Sequence, residues 1–331
     1  MTTNASRFQP QTKDQDQTPP RCLVCGSYSA DTACEAVEPG FKVLRCRDCG
    51  FGRTWPAPPP EEIGKWYPQS YYGDGNVRFN PLFEALVRQF RKRRARVFHN
   101  RVARGPVLDV GCGRGLMLAY LRELGYEPHG VEFSETSAYH ARKVLKLPVT
   151  TEDFSSSPHE HDRYNAVIFW HSFEHFFNPV GALQRAHEAL KPGGLLAIAV
   201  PNYDSWQARV FGRYWFHLDV PRHYTHFGQR SLEQLLQRHR FRVVQADHFS
   251  FEQNPYGILQ SLYNALGFRF NLLYSLLKTN SARTETALQY PVQSLLVAAL
   301  LPALLPLSLV LCVVEAALHS GGTIEVYALK E

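Results

Sequence analysis

The sequence predicts an α/β fold in which a doubly wound, mainly parallel sheet follows a small cysteine-rich module and is interrupted late by an apolar helical insertion. Three observations carry this. From Pro106 to about residue 250, short apolar runs of strand length alternate with helical runs, which implies parallel pairing with helices on both faces. Four of the seven cysteines stand in two C-x-x-C pairs near the start, and residues 295–314 run twenty residues without a charge. With 331 residues, 44% hydrophobic and 20% charged, the chain can bury a large core. That excludes a disulfide-stapled mini-protein, a polytopic membrane protein and a mostly disordered chain.

Residues 1–20 are polar and rich in Pro and Gln; they read as a disordered tail without the apolar core of a signal peptide, so a cytoplasmic protein is expected. Residues 21–56 hold Cys22-Leu-Val-Cys25-Gly26 and Cys46-Arg-Asp-Cys49-Gly50, two copies of one knuckle. Two such thiolate pairs complete a tetrahedral zinc site, closed and therefore structural, with Cys22, Cys25, Cys46 and Cys49 as ligands. Cys34 is a spare thiol. Residues 57–104 form a linker and a basic helix. WPAPPP (55–60) is stiff, and Trp66, Tyr67, Tyr71 and Tyr72 follow. A helix from about Pro81 then puts Phe83, Leu86, Val87, Phe90 and Val97 on one face. Residues 88–104 carry eight Arg/Lys and no acid, whereas the rest of the chain has 28 Lys+Arg against 30 Asp+Glu, so the net charge of +6 is one local patch. A solvated helix face, anionic lipid or RNA would each suit it.

Residues 105–251 carry the alternation. PVLDVG, PHGVEF, YNAVIFW, LLAIAVP and FRVVQADHF read as strands; the helices between them include RGLMLAYLRELG and VGALQRAHEALKPGG, the latter stopped by Pro-Gly-Gly. The last strand, TIEVYALK, comes some seventy residues later, which makes 252–320 an insertion and 321–331 the return of the core.

Asp109-Val110-Gly111-Cys112-Gly113-Arg114-Gly115 follows the first strand and opens a helix, where open α/β sheets bind nucleotide-like ligands. A dinucleotide fingerprint would want glycine at 116, which is Leu116. Asp109 would repel a pyrophosphate and favour an ammonium or sulfonium. Both details point away from NAD and toward S-adenosylmethionine (SAM). Glu132, beside Phe133, ends the next strand at the place of a ribose-binding acid; Asp153 and Phe154 stand after the following one, a carboxylate for the adenine amino group and a ring for its face. Trp170 and His171 follow the fourth strand.

These residues resemble the class I SAM-dependent methyltransferases, in particular the branch with VLDVGCGRG, a W-H-x-x-E-H segment from Trp170 to His175, and LKPGG. The resemblance implies a Rossmann-like, seven-stranded sheet whose last strand is antiparallel. Asn165 stands where the family usually has Asp. The N-terminal knuckles followed by WPAPPPEEIGKWYPQSYY look like the module of zinc-containing relatives, some of which methylate sugars, although their C-terminal parts differ.

Methyl transfer to a hydroxyl needs alignment, a dry site and a base. His171 is a candidate for cofactor contact and for base; Glu174 and His175 read as packing residues. Residues 206–227 (WQARVFGRYWFHLDVPRHYTHF) are too rich in aromatics and histidines for an ordinary loop and are expected as a lid, with His217, Asp219, Arg222, His223 and His226 on the acceptor side. Of these, His223 and His226 join His171 as catalytic candidates. No N/D-P-P-Y/F segment follows strand four and no Pro-Cys nucleophile exists, which argues against nucleic acid as the acceptor.

The insertion starts and ends in one sheet, so a single span is excluded. Pro302 and Pro306 suggest a bent, re-entrant helix pair, and 257–277 an interfacial segment too polar to cross. Monotopic attachment to the cytoplasmic membrane face is expected, with a dimer interface as the alternative occupant. The expected activity is O-methylation of a lipid-linked or membrane-associated small molecule of glycan or isoprenoid type. An RNA methyltransferase and a non-catalytic SAM-binding scaffold are the other readings.

Overall fold

The computed structural model describes residues 20–67, 77, 79–157, 160–278 and 280–331. The expected tail up to Pro19, and Tyr71 and Tyr72, lie outside them. The chain opens with β1 (Ala30–Glu35), β2 (Lys42–Cys46) and β3 (Gly52–Trp55), an antiparallel meander around the cysteine pairs. Helix α1 (Pro81–His99) follows; Asn80 accepts the Phe83 N–H at 3.0 Å and Pro81 fills the first position, where its missing N–H costs nothing.

The core then alternates as read: β4 (Pro106–Val110), α2 (Leu116–Glu123), β5 (Glu127–Val131), α3 (Glu135–Tyr139), β6 (Val149–Thr150), β7 (Tyr164–Trp170), α4 (Pro179–Ala189) and β8 (Leu190–Pro201). Strand β8 starts earlier than the sequence suggests. Leu190 already pairs with Tyr164, and the Pro-Gly-Gly turn is an irregularity before pairing resumes at Ala166 and Leu195. Then come α5 (Trp206–Phe211), β9 (Thr225–His226), α6 (Gln229–Arg238), β10 (Phe241–Asp247), α7 (Asn254–Ala265), α8 (Leu272–Leu277), α9 (Asn280–Gln289), α10 (Pro291–Ala317) and β11 (Thr323–Lys330).

The main sheet has the order β10-β11-β8-β7-β4-β5-β6, with β11 antiparallel to both neighbours and the other pairings parallel. Strand period explains its two cores. Val167 and Phe169 of β7 point into one, while Ala166 and Ile168 point into the other. Because β5 and β7 lie on opposite sides of β4, the connections diverge above the carboxyl end of β4 and leave a crevice there.

A second sheet, β1-β2-β3-β9, is the main departure from the expected separate module. Gly52 pairs with His226 and Arg53 with Thr225, so the segment after β8 supplies a strand to the cysteine module. Val24, Cys46, Cys49 and Phe51 share one core with Phe173 and Phe227, with Phe51 and Phe227 centroids 5.2 Å apart.

The insertion corrects two expectations. Helix α7 is buried rather than interfacial: its polar side chains satisfy one another and nearby backbone, Gln260 Nε2 donating to Asn264 Oδ1 at 2.9 Å and Asn264 Nδ2 to the Tyr214 carbonyl at 3.1 Å. Helix α10 is one continuous helix of 27 residues, about 40 Å long at 1.5 Å per residue, running through Pro302 and Pro306 rather than folding back as a pair. It is long and apolar enough to cross a membrane, yet both halves are fastened to the body. The Tyr263 hydroxyl donates to the Val297 carbonyl at 2.8 Å, and Glu315 Oε1 accepts from Gln207 Nε2 at 2.7 Å and from the Gly322 N–H at 3.2 Å. Val297, Ser308, Cys312 and Glu315 face inward; Val292, Leu295, Val310 and Val313 are among those facing outward.

Candidate active site

The glycine loop turns at the carboxyl end of β4, and its three glycines serve different needs. Gly111 (φ 82°) packs so closely on Ser172 that a Cβ would overlap it, and the Ser172 hydroxyl donates to the Val110 carbonyl at 2.5 Å. Gly115 (φ 76°) precedes α2, where a Cβ would meet Ala141 at 2.8 Å. Gly113 (φ 56°) has open space around it. The Gly111 and Cys112 N–H groups both donate to the Val131 carbonyl, which ties the loop to β5. Glu132 accepts from the Gly113 N–H at 2.7 Å and the Ser134 N–H at 2.8 Å, so the expected ribose acid stands directly beside the loop. Phe133 next to it is 70% exposed, a ring face toward solvent.

Asp109 is buried, and burial raises its carboxyl to about 7 against the pull of Arg94 and Arg91. Asp153 caps its own turn, accepting from the Ser155 N–H at 3.0 Å and from the Ser155 and Ser156 hydroxyls. The Phe154 ring is 1% exposed and meets Phe169 edge-on at 5.8 Å. It is a core ring, whereas Phe133, the other ring expected at the cofactor, is open to solvent.

His171 stands at the end of β7 in the left-handed region (φ 52°), a strained backbone of the kind found at functional sites. Its Nε2 is buried without a partner and its Nδ1 is 3.6 Å from Glu174 Oε1. Burial, then Arg94, lower its pKa to about 3, so the ring is neutral. Glu174, expected to be a packing residue, is 2% exposed with one oxygen unpartnered, and burial raises its carboxyl to about 7. His223 donates from Nδ1 to the His217 carbonyl at 3.0 Å, which turns Nε2 toward Glu174 Oε1 at 3.9 Å and Asp219 Oδ2 at 3.7 Å. His175 Nδ1 lies 3.0 Å from both the Tyr67 hydroxyl and the Arg222 carbonyl.

The lid residues separate accordingly. His223 borders the Glu174 group, while Asp219 holds Arg222 and His217 Nε2 reaches the Gln253 carbonyl at 3.4 Å. His226 is engaged elsewhere. Its Nε2 is 3.0 Å from the Thr54 hydroxyl, which ties it to the cysteine module.

Sequence reasoning missed Arg94. It is buried, lies 4.2 Å from the Trp170 ring centroid, and pairs with Glu252 at 2.5 Å; Arg91 pairs with the same carboxylate. Arg114 of the glycine loop pairs with Glu84 of α1 at 2.7 Å. Helix α1 is thus a roof over the crevice, and among its basic residues Arg88, Arg93 and Arg96 remain outward.

An open glycine, a strand-end acid beside it, a buried acid below and an imidazole whose Nε2 has no partner fit the adenosine, ribose and sulfonium parts of SAM. At the cysteine module the four Sγ atoms lie within 4.8 Å of one another, with Cys22 and Cys49, and Cys25 and Cys46, each 3.5 Å apart. Gly26 (φ 81°) and Gly50 (φ 77°) close the two knuckles alike, donating to the Cys22 and Cys46 carbonyls. Four soft donors in this spacing are a set that could hold zinc.

A family model described as a methyltransferase domain (Methyltransf_23) matches residues 82–246, just under half of the chain. The ubiquinone biosynthesis O-methyltransferase of Caulobacter vibrioides is 26% identical over 225 residues, 62% of this chain and 82% of that protein. The protein of the same name from Hydrogenovibrio crunogenus is 26% identical over 156 residues, 44% of this chain and 60% of its own length. Among solved structures, a SAM-dependent methyltransferase from Archaeoglobus fulgidus superposes with a TM-score of 0.46 at 20% identity, covering 73% of this chain and 94% of that one. The matched domain and the seven-stranded order with its antiparallel β11 together show that the chain carries a class I SAM-dependent methyltransferase domain.

Proposed function

We propose that the enzyme transfers a methyl group to a hydroxyl of an isoprenoid-type, membrane-borne acceptor at the cytoplasmic face of the membrane. The observation that carries the acceptor class is α10: its inner face is fastened to the body near both ends, beside α7 and α8, while its apolar outer face is left exposed, which suits a helix lying in the interface plane. The names of the relatives above agree with oxygen as the methyl acceptor and an isoprenoid-type substrate. Exposed Arg88, Arg93 and Arg96 on α1 add attraction to anionic headgroups. The basic helix gives little support to an RNA acceptor, because Arg91, Arg94 and Arg101 are spent on acidic partners inside the protein.

SAM, when bound, supplies a methyl group on a sulfonium centre that an acceptor oxygen attacks in line. The chain's own residues do the rest. Glu132 would hold the ribose hydroxyls, Phe133 would cover the adenine, and Asp109 would meet the cationic end. His171 Nε2 takes the acceptor proton, with Glu174 beyond Nδ1 to stabilise the imidazolium; His223 on the lid closes the same group from above and helps to exclude water. The four thiolates would hold a structural zinc ion.

The test is to incubate the full chain with methyl-labelled SAM and native membranes plus cytosol, then to count label in the organic and aqueous phases. Label in the organic phase is expected. Label confined to the aqueous phase would overturn the lipid acceptor and bring soluble sugars or RNA forward.

A further inference from the structure

We propose that five aromatic rings, Phe79, Phe83, Phe216, Tyr256 and Tyr274, form the site that takes the hydrocarbon chain of the acceptor and leads its hydroxyl to His171. The inference rests on the reading of an isoprenoid-type acceptor above and gives that acceptor a place in the fold.

The rings come from four parts of the chain, and they close a circuit. Phe79 precedes α1 and Phe83 lies in its first turn, Phe216 belongs to the lid, and Tyr256 and Tyr274 belong to α7 and α8 of the insertion. Ring centroids are 4.8 Å apart for Phe79 and Phe83, 6.3 Å for Phe83 and Tyr256, and 5.1 Å for Tyr256 and Phe216. The circuit closes at 5.9 Å from Phe216 to Tyr274 and 5.7 Å from Tyr274 to Phe79. Neighbouring planes meet at angles between 46° and 86°, and among the described residues no pair across the circuit is in contact. Five walls set in this way surround a centre about 5 Å from each centroid, close to the distance at which a ring face holds a methyl or methylene group.

Packing alone does not account for the group. All five rings are half-buried, whereas a core ring such as Phe154 is sealed. Among the described residues, Phe79, Phe83, Phe216 and Tyr274 belong to none of the four buried apolar clusters. Tyr256 joins the cluster that also takes Leu301 and Leu304 of α10, so one side of the circuit adjoins the helix assigned above to the membrane interface. The other side adjoins the crevice. Phe216 is held by its N–H, which donates to the Ser261 hydroxyl at 2.9 Å, and His217 follows it with the two rings 5.1 Å apart. His217 packs on α7 so closely that a Cβ at Gly257 would stand 2.5 Å from its Nε2, and the charge of His171 acts on it. An aromatic cage of this kind also suits a quaternary ammonium. Here Lys278 Nζ already lies 5.2 Å from the Tyr274 centroid, and its charge would oppose a second cation. A hydrocarbon meets no such opposition, and the branched units of a prenyl chain present methyl groups to several ring faces at once.

The test is to saturate the full chain with S-adenosylhomocysteine, the demethylated form of the cofactor, and titrate it with farnesol by calorimetry, without vesicles. Binding is expected. In Phe216→Ala and in Tyr256→Ala the farnesol dissociation constant is expected to rise roughly tenfold, the worth of one ring's buried contact, with S-adenosylhomocysteine affinity held within about twofold. Where a variant folds poorly the wild-type chain answers alone, because a diazirine-bearing farnesol should label peptides that hold Phe83, Phe216 or Tyr256. Unchanged farnesol affinity in both variants, parallel loss of both ligands, photolabel confined to the outer face of α10, or tetramethylammonium bound in place of farnesol would overturn the proposal. So would a wild-type chain that binds no farnesol while the methylation assay puts label in the organic phase. If that label is confined to the aqueous phase instead, the isoprenoid reading itself falls, and this site with it.

Discussion

At the residue scale the proposed chemistry rests on His171, whose backbone strain and unpartnered Nε2 sit at the end of β7. For His171→Ala, turnover is expected to fall about a hundredfold, the usual worth of a positioned base, while S-adenosylhomocysteine affinity stays within about threefold. Initial rates and calorimetric titration check the two halves; an unchanged rate would move the base to His223. Some of this was legible in sequence, because Asp109 to Gly115 and Trp170 to His175 are local motifs whose spacing fixes their place at strand ends. Arg94 was not. In a run of eight basic residues nothing local marks which one turns inward, since that depends on Glu252, more than 150 residues away. Phe154 misled for a related reason: an aromatic after a strand end suits a ligand face or a core equally, and only the position of Phe169 decides.

At the element scale, α10 was legible as a long apolar segment, but its continuity was not. Two prolines predict a break, whereas here packing of Val297, Ser308, Cys312 and Glu315 on the body outweighs their cost. Replacing outward Leu295, Val310 and Val313 by Gln should reduce sedimentation with anionic vesicles severalfold and leave S-adenosylhomocysteine affinity unchanged. Retained sedimentation would assign this face to a second copy of the chain. Glu315 predicts a pH dependence. Burial raises its carboxyl to about 7 from 4.5, so the folded state holds the proton more tightly than the unfolded one. Its stability contribution is greatest below about 4.5 and declines as pH rises through about 7. In Glu315→Gln the side-chain carbonyl keeps an acceptor for Gln207 and Gly322 without that decline. The melting temperature of this variant relative to wild type should therefore be higher at pH 8 than at pH 5; a difference independent of pH would contradict it.

At the scale of the whole molecule, the cysteine module and the methyltransferase domain are one structure, joined by the β3–β9 pairing and by Thr54, whose hydroxyl donates to the His223 carbonyl at 2.5 Å. A two-residue strand lying about 170 residues from its partner has no signature in a single sequence, which is why the module read as separate. Chelation of the zinc ion proposed for the four cysteines is expected to lower the melting temperature and the turnover together while S-adenosylhomocysteine binding persists, because the lid leans on the module and the glycine loop does not. Loss of ligand binding in parallel would place the module's influence on the crevice itself. The insertion raises the opposite question, of removability. Asp247 and Glu325 are direct partners across β10 and β11, so backbone geometry alone would let a short hairpin replace everything between them. Such a truncation would keep the sheet and its register, yet it would delete Glu252, the carboxylate that Arg91 and Arg94 of α1 share. The segment that looks like an accessory by topology is, by electrostatics, a fastening of the helix that roofs the crevice.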